Sequence, residues 1–198
     1  MPGFIRGYVR WVDAINYRLG RIVMYGIFVM VAILMWSSIS KTFFMPSLWT
    51  LEMAQFAMVS YYILGGPYSI QMGSNVRMDL FYHTWTDRKK AQFDAITVVV
   101  LAFYLGVLLY GAVDSFAYSL GHFKGTPFAF LLELVVAFFT GGPTAAGEVL
   151  GYLERSPTAW RPILWPIKFI MTLGIFLMLL QALSEFFKDI ARIRGQEI

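Results

Sequence analysis

Long apolar stretches separated by short polar segments dominate this chain. They cover residues 22–45, 51–72, 95–120 and 163–194, and the last of them ends in a basic amphipathic extension. A transmembrane helix needs about 20 apolar residues to cross about 30 Å of hydrocarbon. The pattern therefore predicts an all-α integral membrane protein, a single membrane domain over residues 1–198 with four transmembrane helices.

Residues 1–21 have a different pattern, in which apolar side chains recur at helical spacing and arginines lie away from them. The apolar positions are Phe4, Tyr8, Trp11, Val12, Ile15 and Leu19. A basic amphipathic helix of this kind is typical of a segment that lies in the plane of the membrane interface. We therefore expect an interfacial N-terminal helix with membrane lipids as a partner.

The segment 121–162 separates the third and fourth apolar stretches. Its apolar part, residues 127–139, is too short to span a membrane. Thr126 suits an N-cap, Pro127 suits the first helical position, and the Gly141-Gly142-Pro143 sequence is a stop signal. We expect an extra short helix at the outer interface, with a second one near 144–154. An exposed apolar segment of this kind is usually covered by the membrane or by a partner protein, so we expect a docking surface here. Its expected polar contacts to such a partner are Glu148, Glu154, Arg155 and Arg161.

Composition and charge give the class and the orientation. The chain is 58% hydrophobic and 14% charged, which leaves too little polar surface for a soluble coat. Of its 16 Lys and Arg residues, 11 lie at the two termini or in the loop after the second stretch. The positive-inside rule then predicts that both termini are cytoplasmic. A net charge of +4 is too small and too spread out to indicate nucleic acid as a partner.

Candidate chemistry is sparse. The sequence has no Cys, and its two histidines, His83 and His122, fall in separate loops. No catalytic motif or metal-ligand spacing is present, so we expect neither an enzyme nor a cofactor. The middle of each apolar stretch also lacks a charged residue, whereas a proton relay or an ion site would place one there.

Three charged residues fall near the predicted outer ends of different helices, namely Glu52, Asp114 and Lys168. Near the interface an ionised group costs much less than at the membrane midplane. We therefore expect Glu52 to have a structural role, as the partner of Lys168 or Lys41, rather than to bind an ion.

The second stretch contains a Gly65-Gly66-Pro67 sequence. Pro67 cannot donate to the carbonyl of Ile63, so a kink is expected. Gly65, Ser69 and Gly73 recur every four residues and would form a small-residue ridge for close helix approach. Packing is favoured over the alternative, an ion site at a broken helix.

Several short motifs occur in the same order as in a known family. They are Trp49-x-x-Glu52, Gly65-Gly66, the run from Gly73 through Asn75 and Arg77 to Asp79, Trp165-Pro166-x-Lys168, Gly174, and Leu179-Leu180-Gln181 with Glu185. Over about residues 20–194 the chain resembles the small permease subunit of the tripartite ATP-independent periplasmic (TRAP) transporters, the DctQ-like family, in its longer subtype. Two features depart from the family pattern: Asn75 stands where His is frequent, and the outer segment is extended.

The resemblance implies a multi-pass protein of the bacterial inner membrane without a transport site of its own. It implies two partners: a large permease subunit that moves an organic acid-type solute using a sodium gradient, and a periplasmic substrate-binding protein. Sodium would be bound by the large subunit. The residues carried over as structural or interface candidates are Trp49, Glu52, Gly65, Gly66, Gly73, Arg77, Asp79 and Lys168.

Two other classes stay open at this stage. One is a small proton-coupled four-helix exporter, which would need a carboxylate at the membrane midplane. The other is the membrane anchor subunit of an enzyme complex, for which two helix-borne histidines binding haem would be the sign.

Overall fold

A computed structural model of the chain describes residues 3–73 and 86–195. These residues form six helices: α1 (Gly3–Val23), α2 (Gly26–Phe43), α3 (Thr50–Gln71), α4 (Asp87–Ser119), α5 (Pro127–Val149) and α6 (Trp165–Ile193). The only β-type pairing in this part of the chain is an isolated antiparallel bridge between Arg155 and Ile163. The predicted all-α architecture is confirmed.

The helix boundaries follow the apolar pattern closely, with one exception. Helix α4 begins at Asp87, several residues before the predicted start at residue 95, so the charged run there forms its first turn. Helix α6 continues without a break to Ile193, so the basic amphipathic end of the fourth stretch is helical, and its location outside the membrane stays a prediction. Arg77 and Asp79 lie outside the described residues.

Four helical stretches of the described chain are long and apolar enough to cross a membrane, namely Gly3–Phe43, Gln92–Ser119, Pro127–Val149 and Trp165–Ile193. The number agrees with the prediction, but α5 is among them and α3 is not. Glu52, Gln55 and Gln71 lower the mean hydropathy of α3, although its 22 residues give a length of about 33 Å. The assignment of α3 as a span, which rests on its length, stays a prediction.

Helix α5 is broken where the Gly-Gly-Pro sequence predicts a stop. Gly142 has non-helical angles (φ 73°, ψ −167°) and Pro143 follows it. The piece before the break is about 15 residues, or about 22 Å, and is therefore shorter than the hydrocarbon thickness. Pro127 occupies the first helical position as predicted, but the predicted capping bond of Thr126 is absent, because its hydroxyl contacts His122 instead.

The chain forms two compact units. The first contains Met1–Ile27, Tyr61–Val107 and Gly174–Ile198, and the second contains Phe28–Ser60 and Leu108–Leu173. Four helices, α2, α3, α4 and α6, contribute residues to both.

In the first unit, α1, α3 and α6 approach one another closely at glycines. Gly20 of α1 lies against the ring of Tyr68, and Gly174 of α6 lies against Ile63. Gly66 of α3 faces Met178, whose sulfur would lie 2.6 Å from a Cβ at that position. Small residues at such crossings let helix backbones come close together.

In the second unit, the inserted segment packs onto the end of α4. Ala117, Leu120 and Phe130 form a buried cluster, with Leu150 and Leu153 packed against it. The Gly151 amide donates to the Leu120 carbonyl (3.0 Å), and the Glu154 amide donates to the Ser119 carbonyl (3.0 Å). The segment is therefore an integral part of this unit rather than a loose loop.

Residues 154–164 then turn back as a short hairpin-like loop. The Leu164 amide donates to the Glu154 carbonyl (3.1 Å), and the Ser156 amide donates to the Pro162 carbonyl (2.9 Å). The loop carries exposed side chains at its tip, including Trp160 and Arg161.

Candidate functional sites: two buried polar networks

A polar network in the first unit links α1 to α6. On α1, Val9, Val12, Asn16 and Gly20 are buried and share one helix face, because they recur at intervals of three and four residues. Asp13 borders that face. On α6, Gln181, Ser184, Glu185 and Lys188 also share one strip, and Gln181 and Ser184 are fully buried. The polar residues among these form what we call the α1–α6 network. Its members are Asp13, Asn16, Gln71 of α3, Gln181, Ser184, Glu185 and Lys188.

Gln181 is the centre of the α1–α6 network. Its Nε2 donates to Asp13 Oδ1 (3.0 Å) and to Glu185 Oε1 (3.0 Å). Because ionised carboxylates only accept, the Gln181 carbonyl must face the other way, where it accepts from Asn16 Nδ2 (2.7 Å). The two carboxylates therefore determine the orientation of the Gln181 amide, and the Gln181 amide in turn determines that of Asn16.

The charged part of the network is held by one lysine. Lys188 Nζ lies 2.7 Å from Asp13 Oδ2 and 2.7 Å from Glu185 Oε1. Ser184 Oγ donates to Asp13 Oδ1 (3.1 Å), and Gln71 Nε2 donates to the Asp13 backbone carbonyl (3.2 Å). Asp13 therefore connects α1 to both α3 and α6.

Two buried acceptors of this network, Asn16 Oδ1 and Gln71 Oε1, have no protein hydrogen-bond partner among the described residues. The described residues also contain no group of three or more His, Cys, Asp or Glu side chains that could hold a metal ion. The arrangement is that of a structural connector, in which Gln181 and Lys188 satisfy two carboxylates between α1 and α6, and Gln71 ties the backbone of α1 to α3.

The second network surrounds Glu52, which is 4% exposed at the start of α3. Glu52 Oε1 accepts from Ser156 Oγ (2.9 Å) and from the hydroxyl of Thr158. Both hydroxyls belong to the hairpin-like loop 154–164. We call these three residues the Glu52 network, and they hold the loop against α3.

The predicted pairing of Glu52 with Lys168 or Lys41 is wrong. Lys168 pairs with Glu154 and lies 5.5 Å from the ring centroid of Tyr118, while Lys41 is exposed. The hairpin-like loop explains the difference, because it brings two hydroxyls to Glu52 and a carboxylate to Lys168. Glu154, predicted to contact a binding protein, is instead used within the unit.

The remaining predicted residues fall into three groups. Glu148, Arg155 and Arg161 are exposed in the second unit, as a contact role requires. Gly73 has a positive φ of 62° at the end of α3, a conformation that favours glycine. Trp49 directly precedes α3, and its carbonyl accepts from the Met53 amide (3.0 Å).

The small-residue ridge is only partly as predicted. A Cβ on Gly65 would meet nothing within 4 Å in the described part of the chain, whereas Gly66 faces Met178. The contact of α3 with α6 thus uses the face of Gly66, and Gly65 is free to face lipid or another subunit.

Loosening of the hairpin-like loop is expected when the Glu52 carboxylate is lost. Glu52→Leu removes the acceptor of two hydroxyls, which costs on the order of 1–3 kcal/mol, whereas Glu52→Gln keeps an amide oxygen there. Trypsin cleavage after the exposed Arg155 should become about tenfold faster in Glu52→Leu and stay near the wild-type rate in Glu52→Gln. Equal rates in all three proteins would show that the loop is held without Glu52.

These observations define a polytopic all-α membrane protein whose buried polar groups join its own helices. The family model of the tripartite ATP-independent periplasmic transporters, DctQ component, matches residues 30–139, which is more than half of the chain. The chain belongs to this family, and the resemblance seen in its motifs is confirmed. The match is shorter than the predicted range and includes neither α1 nor the α6 motifs. Neither a curated protein nor a solved structure matches the chain.

Proposed function

We propose that this chain is the small membrane subunit of a sodium-coupled, binding-protein-dependent TRAP transporter for an organic acid-type solute. Its role is to brace the large permease subunit, which binds the sodium and the solute. The observation that carries the proposal is membership of the DctQ family. The family is a transporter component, which also argues for a non-catalytic role.

The packing of the helices supports a bracing role. Helix α2 has a single buried residue, Ser40, so most of its apolar surface is available to lipid or to another subunit. The buried polar groups of the α1–α6 network and the Glu52 network hold helices and loop to one another rather than lining a path. The described surface includes an open hollow of about 340 Å³, but it is lined by one face of α2 between Val31 and Ile39.

In this proposal the protein lies in the bacterial inner membrane with both termini cytoplasmic, as the Lys and Arg distribution favours. The second unit then faces the periplasm at its hairpin-like loop. The exposed Arg155 and Arg161 of that loop are available to an acidic patch on the binding protein.

Transport by this chain should depend completely on its partner. A tagged chain purified from native membranes in mild detergent should bring down a large polytopic protein. Proteoliposomes with the chain alone should show no sodium-driven uptake of radiolabelled organic acids, whereas the two subunits with the binding protein should. Uptake by the chain alone would refute the bracing role, and haem or an enzyme in the purified complex would favour the anchor alternative.

Docking of the binding protein should weaken when the loop charges are reversed. Arg155→Glu with Arg161→Glu changes exposed groups without touching the buried cluster of the second unit. Because charge steering acts mainly on association, uptake at limiting binding-protein concentration should fall about tenfold and recover at saturation. Lys41→Glu with Lys124→Glu, which reverses two exposed cations outside the loop and changes the net charge by the same amount, is the matched control. An equal loss in the control would assign the effect to net charge rather than to the loop.

A further inference from the structure

We propose that α1 binds the headgroups of anionic phospholipids through a strip of arginine side chains. Among the described residues, one face of α1 is buried against the rest of the first unit, and beside it the half-exposed ring of Tyr17 contacts that of Tyr68 (5.9 Å between centroids). That packed face carries Val9, Val12, Asn16 and Gly20, all buried. The rest of the helix surface is largely exposed, with large apolar side chains along one side and arginines along the other.

One exposed face is apolar. Phe4, Trp11 and Ile22 are 85%, 62% and 70% exposed, and they fall within about 20° of one another around the helix axis. Helix α1 is already anchored to the rest of the unit through another face. Its three large exposed apolar side chains therefore need a separate apolar surrounding. The acyl boundary of a lipid layer supplies it.

The other exposed face is basic. Arg6, Arg10 and Arg21 lie within about 60° of one another, and Arg18 extends this face by about 60° towards the apolar residues. Arg21 is close to the exposed ring of Tyr17, at 5.9 Å from its centroid. We call these four residues the arginine strip.

The only acidic residue of α1 is turned away from the arginine strip. Asp13 is held inward by Lys188, Gln181 and Ser184 of α6. The outward surface of α1 therefore carries four cations and no anion. For Arg6, Arg10 and Arg18, the described part of the chain supplies no ion-pair partner.

The order of the faces selects a lipid as the occupant. A helix lying in an interface plane needs an apolar side towards the acyl chains and a cationic side towards the phosphates, and α1 has both beside its packed face. Guanidinium groups match phosphate oxygens in a bidentate geometry, and negative lipid charge attracts them further. Free phosphate would satisfy the arginine strip but not the adjoining apolar residues.

The test uses the full-length chain purified in a neutral detergent. Its thermal unfolding is followed while phosphatidylglycerol, phosphatidylcholine or inorganic phosphate is added. Because a ligand that binds only the folded state stabilises it, phosphatidylglycerol should raise Tm by about 5 °C. Phosphatidylcholine and inorganic phosphate should raise it far less, and 0.5 M NaCl should remove most of the phosphatidylglycerol effect, since salt screens such contacts.

Changing the arginine strip to Gln at all four positions should abolish the response to phosphatidylglycerol. A variant with Gln at four other exposed cations, Lys41, Lys124, Arg155 and Arg161, loses the same charge and should keep the response. If the strip variant does not fold, the Arg6→Gln, Arg10→Gln double variant should lose about half of the Tm rise. The proposal would be overturned if the strip variants kept the full rise of Tm with phosphatidylglycerol, or if the control variant lost as much of it. An equal rise of Tm with inorganic phosphate would also overturn it.

Discussion

A Gln181→Leu variant is expected to unfold about 10 °C below the wild type, one of the two largest effects that we expect from a single substitution in this protein. The substitution puts an apolar side chain of similar size at a fully buried position and removes all three hydrogen bonds of Gln181. Asn16 then loses the acceptor of its side-chain amide. The carboxylates of Asp13 and Glu185 each lose one hydrogen-bond donor, although both still contact Lys188. Unpaired buried polar groups cost about 1–3 kcal/mol each, and more when charged, so a loss of about 3 kcal/mol is expected.

The same change should release α1 from α6, which can be measured directly. The sequence has no cysteine, so a single Val12→Cys substitution gives a label site without background. Val12 is 2% exposed on the packed face of α1. A maleimide should react slowly with it in the otherwise wild-type protein and much faster when Gln181→Leu is added.

Gln92→Leu is the matched control, because it makes the same chemical change at an exposed position of α4. Its Tm should stay within about 1 °C of the wild type, as is usual for surface substitutions. An Asn16→Leu, Gln181→Leu double variant should lose less than the sum of the two single losses, since both remove one shared bond. A Gln181→Leu protein with wild-type Tm and a protected Val12→Cys would show that the network does not hold α1.

The helices themselves could be predicted from the sequence because their signals are local. Apolar composition over about 20 residues gives α2, α3, α6 and the end of α4 within a few residues, and a Gly-Gly-Pro sequence gives the break at Gly142. The early start of α4 was missed because its first turn is charged. A helix end that lies outside an apolar stretch has no hydropathy signal to mark it.

The α1–α6 network was not predicted, although part of its signal was present. Gln181, Ser184, Glu185 and Lys188 recur at intervals of three and four residues, which places four polar groups on one side of a largely apolar helix. That spacing indicates a polar contact with another element. It does not identify the element, because the match to Asp13 and Asn16 of α1 spans more than 160 residues of sequence.

The partner of Glu52 could not be predicted for a related reason. Opposite charge near the same end of the helices favours Lys168 or Lys41 as the partner of Glu52. The actual partners are two hydroxyls, Ser156 and Thr158, that reach Glu52 only because residues 154–164 fold back as a hairpin. Serine and threonine hydroxyls carry no charge pattern, so a sequence that contains many of them does not single these two out.

A Gly174→Ala variant is expected to lose about 3 kcal/mol of stability, because α3 and α6 touch at this residue. A Cβ at position 174 would overlap the Ile63 side chain and would lie 3.0 Å from the Ile63 carbonyl oxygen. Backbone cannot move aside as a flexible side chain can, so the two helices would have to separate. Pro67 makes the position more sensitive, since it cannot donate to that carbonyl and leaves it facing α6.

Three glycines on these two helices provide a graded series of the same Gly→Ala change. Gly174→Ala should be the most damaging. Gly66→Ala should cost less, because the obstructing atom is the sulfur of Met178, which can change rotamer. Gly65→Ala should be neutral or slightly stabilising in the isolated chain, since its Cβ meets nothing within 4 Å and alanine favours the helix.

The series also separates folding from assembly. Unfolding of the purified chain should rank the three variants as Gly174→Ala, Gly66→Ala and Gly65→Ala, from least to most stable. The yield of the complex with the large subunit need not follow that order, because the free face of Gly65 is available to a partner. A Gly65→Leu variant that is stable alone but fails to assemble would place the large subunit on that face. Equal stability of Gly174→Ala and Gly65→Ala would instead show that the contact between α3 and α6 is not as close as the structure has it.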